Sequence, residues 1–258
     1  MKLGLVPAGT GLIWVRMGVL TVARHPATWM MLFLLFMAWM SLLTLLPWLG
    51  VPLAMAMLPG ATLGLMVAAR TLHEGAMPTL TTLFCGFVPA SPATPGIWGI
   101  GLAYAAGALL AIGASSFVDG GQFAEVYLGN ASPNADTPLF PAMWVFIALH
   151  IPLSWMTWHA PALVYWHRLP VAKSLFFSLV ACARNVSAFL VFGLAWMGIM
   201  VLTITVLQLL GSMLGLAEPV RMLAFPALLL VASMFFCSLY FSYRDCFPQQ
   251  TTGEWVVN

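Results

Sequence analysis

Two histidines, His150 and His159, stand in an otherwise apolar stretch, with Ser154 and Thr157 between them. An imidazole can ligate a metal, relay a proton or hydrogen-bond a neighbouring helix, and an ionisable side chain at bilayer depth is a functional candidate. With the centre of the stretch near Ser154, each ring sits roughly 6–8 Å from it along a helix, inside the hydrocarbon. Nine residues at about 100° each turn His159 to the face opposite His150, so a shared ligand requires the helix to break at Pro152. His150, Ser154 and His159 are therefore the intramembrane polar candidates. The other reading is that of neutral imidazoles bonded to adjacent helices. Haem ligation would need an axial partner from another helix, which the 17 methionines could supply.

Other constellations are thinner. His25, His73, His167, Cys85, Cys182 and Cys246 lack the paired spacing of a zinc site. GSMLG at 211–215 is not the GxSxG nucleophile elbow, and no glycine loop that cradles phosphates is present. No catalytic residue, metal or cofactor is expected. Carboxylates are absent from the apolar segments, which lowers the expectation of proton- or sodium-coupled transport.

The elements that must position these residues follow from composition. Hydrophobic residues make up 62% of the chain and charged ones 6%, against roughly 25% charged in a soluble domain. A net charge of +2 without a Lys/Arg run gives nucleic acid no footing. The chain reads as polytopic, with the lipid bilayer as its first partner. From Pro26 to Ala69 there is no charge, and one helix of that length would run about 66 Å, twice the roughly 30 Å hydrocarbon thickness. It must fold back, and Pro47, Gly50 and Pro52 mark the turn. The expected architecture is all-α: six transmembrane helices near 27–46, 51–69, 97–117, 142–166, 186–210 and 222–243. Interfacial helices are expected near 11–24 and 172–184. Glycines and alanines in the third span allow close helix approach, and Pro152 and Pro161 are expected to kink the fourth.

With the N-terminus inside, Lys2, Arg16, Arg24, Arg70, Arg168, Lys173, Arg184 and Arg244 fall on the cytoplasmic side and only Arg221 outside. The reading is a single domain over 1–258 with both termini cytoplasmic. The loop 118–141, with Asp119, Glu125 and Asp136, then lies outside. None of the four cysteines falls there, so no structural disulfide is expected. Arg24, Arg184, Arg244 and Asp245 are expected to anchor the cytoplasmic ends, with Asp245 pairing to Arg24 or Arg184.

TVARHPATWM at 21–30 and ACARNVSAFL at 181–190 each set an arginine before an apolar run. Pro52 precedes Arg70 by the same interval as Pro226 precedes Arg244. These correspondences suggest a parallel internal repeat, since the first and fifth spans would point the same way.

The phrases GLIWVRMGVLTVARHPATW, PGATLGLMVAARTLHEG, APALVYWHRLPVAKSLFFSLVACARNVSAFLVFG and FSYRDCF resemble an uncharacterised family of proteobacterial inner-membrane proteins. The likeness runs over nearly the whole chain, is clearest from Ala160 to Gly193 and at Tyr243, Arg244 and Asp245, and fades over 76–140. It implies a six-helix protein of the bacterial inner membrane and brings no activity with it. The first functional reading is a non-catalytic accessory or assembly component of a membrane complex, with a membrane-protein partner or a homo-oligomer. The second is a small-solute channel or transporter using a kinked fourth helix. The third is a membrane-embedded enzyme or haem protein.

Overall fold

The computed structural model describes residues 3–132 and 140–248. Among these the chain is helical, with no strand. Only helices or closed barrels satisfy every backbone group in hydrocarbon, so an apolar chain of this kind folds segment by segment into helices. They are α1 (Thr10–Arg24), α2 (Pro26–Thr44), α3 (Gly50–His73), a 3-10 helix (Leu80–Phe87), α4 (Thr94–Asp119), α5 (Gln122–Tyr127), α6 (Phe140–Trp158), α7 (Ala160–His167), α8 (Val171–Arg184), α9 (Val186–Met213) and α10 (Ala217–Cys246).

Both helices expected at 11–24 and 172–184 are present as α1 and α8. The reversal near Pro47 is a short turn in which Trp48, 97% exposed, takes the left-handed backbone at φ 64°. Gly50 and Pro52, expected in that turn, instead open α3. Five helices among the described residues are long and apolar enough to cross a membrane: α2, α3, α4, α9 and α10 from Glu218. The expected fourth span, 142–166, is not one helix. It divides at His159 into α6 and α7, which leaves α6 as a separate helix whose apolar character is diluted by His150, Pro152, Ser154 and Thr157.

The helices group into two compact units. The first draws on Met1–Phe33, Leu65–Leu80 and Ala181–Asn258. Here α1 packs against both α9 and α10. Gly18 makes the second contact close, because a Cβ there would stand 2.7 Å from the Ser238 Cβ and 2.9 Å from the Met234 carbonyl oxygen. Trp14 is wholly buried, its ring 5.1 Å from Phe189 and 5.8 Å from Phe192. At the start of α2, Trp29 is also buried and donates its indole N–H to the Ser233 carbonyl at 3.0 Å.

The second unit draws on Leu34–Gly64 and Thr81–Val180. Its centre is α4, which packs on α6 and α7. The small residues of the third span work as expected: Gly101 lies against the backbone of Ala56 and Gly107 against the Leu153 side chain. At the other end Ala111, Ile112, Phe123, Ala142 and Phe146 form a buried cluster. Asp119, expected in the loop 118–141, ends α4 and holds the start of α5, its two carboxylate oxygens accepting the Gly121 and Phe123 N–H groups at 2.9 and 2.6 Å. Asp136 lies outside the described residues.

Candidate functional site

Several polar groups of the fold hold joints between helices or helix ends. The first joint is His159, which is wholly buried. In a continuous helix its N–H would bond the Trp155 carbonyl four residues back. Instead the Ser178 hydroxyl of α8 stands between them, accepting the His159 N–H at 2.9 Å and donating to the Trp155 oxygen at 2.7 Å. One hydroxyl thus replaces one backbone bond, a recognised cause of a sharp helix break. Pro161 follows and has no N–H to continue the ladder.

α6 runs unbroken through Pro152 and ends only at Trp158, so the break that would bring His150 and His159 together comes seven residues after Pro152, at His159. They are not a ligand pair. His150 stacks on Phe146 (4.9 Å, 21°) and meets Tyr104 edge-on at 6.0 Å. Its Nδ1 is buried without a hydrogen-bond partner among the described residues. Ser154 is half-buried one turn further on, while Thr157 returns its hydroxyl to the Leu153 carbonyl at 3.0 Å.

The second joint is Asn185, the single residue between α8 and α9. It is 1% exposed and fully used. Its Oδ1 accepts the Val6 N–H at 2.8 Å, and its Nδ2 donates to the Gly4 and Ala181 carbonyls, each at 3.0 Å. Gly4 in turn donates its N–H to the Cys246 carbonyl at 2.8 Å. The segment before α1 is thereby tied to the start of α9 and the end of α10.

A third polar group lies in the last turn of α10. The Asp245 carboxylate accepts the Trp14 indole N–H at 2.9 Å through one oxygen and Arg244 Nε at 2.8 Å through the other. The expected pairing with Arg24 or Arg184 does not form, since Arg24 and Arg184 are exposed at the ends of α1 and α8. The buried indole already faces Asp245 from the next helix. Arg244 also lies 5.3 Å over the Phe241 ring and places Nη1 3.3 Å from His73 Nε2. Guanidinium can only donate, so His73 accepts there as the neutral Nδ1–H tautomer.

Sequence reading singled out Arg184, Arg244, Asp245 and His159 at these places but missed what completes them. Ser178 sits on the small-residue face of α8 (Ser174, Ser178, Ala181), the one signal that a close approach was due. Nothing local points from Trp14 to Asp245 or from Val6 to Asn185. Among the described residues no group of three or more His, Cys, Asp or Glu could hold a metal ion.

The chain is similar to a probable inner membrane protein of Burkholderia thailandensis, with 34% identity over 260 residues, 98% of this chain and 96% of that one. No protein-family model matches the chain, and no solved structure matches it. Its long apolar helices belong in a lipid bilayer, and likeness over the full length makes that bilayer the bacterial inner membrane. The chain belongs to the family of that probable inner membrane protein.

Proposed function

We propose that the protein is a non-catalytic accessory or assembly component of an inner-membrane complex. The observation that carries this reading is where its interior polar groups are spent. Ser178 bridges a helix break, Asn185 ties down the N-terminal segment, and Asp245 locks Trp14. Each serves to hold helix ends rather than to meet a substrate. In the same reading the chain is one polytopic domain with both termini cytoplasmic, and α6 with α7 forms the fourth of six crossings. The series α1–His25–α2–α3 and α8–Asn185–α9–α10, each with a single-residue joint after an arginine, supports the parallel repeat. A surface for a partner is offered by α9, where Met197–Leu210 contains no buried residue.

A channel for a small solute is the second reading, favoured by the His150 Nδ1, a polar atom within the fourth crossing that no hydrogen bond uses. Proteoliposomes separate the two. Pure protein that gives no solute flux above empty liposomes supports the accessory role. Flux that disappears with His150→Ala replaces it with conduction.

A further inference from the structure

The C-terminal ends of α3 and α10 line a half-open cavity of about 550 Å³, with Arg70, His73 and Glu74 on one side and Tyr243, Arg244 and Asp245 on the other. The volume falls within the roughly 300–1,000 Å³ typical of small-ligand sites. Charges alternate around it. Arg70 Nε bonds Glu74 at 2.7 Å and Arg244 Nε bonds Asp245 at 2.8 Å. Arg244 spends Nη1 on His73, while its Nη2 has no partner among the described residues.

We propose that this cavity binds a zwitterionic phosphate diester of the phosphoethanolamine class, the phosphate on the Arg244 guanidinium and the ammonium on the carboxylates. Guanidinium offers phosphate a planar fork of donors. Two features argue against a purely anionic ligand. Two guanidinium groups oppose two carboxylates and His73 is neutral, so the lining has no net charge to balance an added anion. Both helices also present C-terminal ends there, where the macrodipole is negative and favours a cation. A zwitterion satisfies both arms and leaves the site neutral. The tyrosine wall adds a π face suited to an ammonium.

Two sources share this chemistry, a membrane lipid headgroup and soluble glycerophosphoethanolamine, both phosphate diesters that carry one ammonium. The cavity lies where α3 and α10 carry their last-turn arginines, which the orientation proposed above puts at the cytoplasmic membrane surface. The lipid is therefore the source inferred, and this choice alone rests on that orientation.

Native mass spectrometry of the purified full chain in detergent tests the proposal with four probes: short-chain phosphatidylethanolamine, phosphatidylglycerol of equal chain length, soluble glycerophosphoethanolamine and inorganic phosphate. The expected result is at least about fivefold greater retention of phosphatidylethanolamine than of phosphatidylglycerol. Arg244→Gln should lower retention of both lipids. Glu74→Gln should lower the first and raise the second, a reversal that loss of folding would not produce. Soluble glycerophosphoethanolamine bound as tightly as the lipid keeps the site chemistry and overturns the lipid source. Equal retention of the two lipids, inorganic phosphate bound as well as the zwitterions, or unchanged selectivity in Glu74→Gln would overturn the proposal. None of these outcomes depends on whether a protein partner exists.

Discussion

Trp14 and Asp245 lie 231 positions apart, yet the indole N–H of the first meets the carboxylate of the second at 2.9 Å. The bond closes the first unit by fastening α1 to the end of α10. Trp14→Phe keeps the aromatic packing against Phe189 and Phe192 but removes the donor. Hydrogen bonds to charged groups contribute about 1.5–3 kcal/mol. The low end applies here, because the Asp245 side chain is 22% exposed and keeps Arg244. The variant should melt earlier in detergent, and Arg184→Ala should not, as Arg184 makes no ion pair with Asp245. Equal melting of Trp14→Phe and the parent would remove the anchor.

Ser178→Ala deprives two buried backbone groups of their shared partner at the α6–α7 break. A buried group left unsatisfied costs about 1–3 kcal/mol, so thermal stability should fall by a measurable fraction. Ser178→Thr, which keeps the hydroxyl, should restore most of the loss. Ser154→Ala, one turn from His150, should change melting little. A Ser178→Ala protein as stable as the parent would mean that the helix breaks for another reason.

Asn185 predicts an effect at a distance in sequence. Replacing it with alanine strands the Val6 N–H and the Gly4 carbonyl, so residues 3–9 should exchange amide hydrogens faster than in the parent. Exchange at Val6 indistinguishable from the parent would contradict the clamp. Gly4→Ala should act similarly, since a Cβ there collides with the Asp245 carbonyl, which is backbone and cannot swing away.

The proposed orientation is tested by impermeant maleimide on intact spheroplasts. Asn130→Cys, exposed after α5, should label from outside and Arg168→Cys should not. The native cysteines give little background, because Cys182, Cys237 and Cys246 are buried and Cys85 is half-buried. Labelling of Arg168→Cys alone would invert the topology.

The places of α1, α2, α3, α4, α8, α9 and α10 were legible because their signals are local. The uncharged run from Pro26 to Ala69 exceeds one bilayer crossing, and Pro47 marks where it turns. The joint at Asn185 was visible as an arginine before an apolar run. The break at His159 was not. Proline suggested Pro152, but a hydroxyl nineteen residues ahead in sequence decides the position, and such a contact has no periodicity to read. The pairing of Asp245 was misjudged for the same reason. Charge complementarity pointed to arginines, while packing brought a buried indole N–H to the carboxylate instead. His73 looked like a scattered interfacial histidine until α10 placed Arg244 beside it.

The accessory role stands or falls on whether the chain has a companion. The direct measurement is the native mass of the protein released from its own inner membrane with surrounding lipid retained. A particle exceeding the 27.9 kDa chain by the fixed mass of a second membrane protein, in constant ratio, is the predicted result. Recovery of the chain only alone, or only as integral multiples of itself, would contradict it.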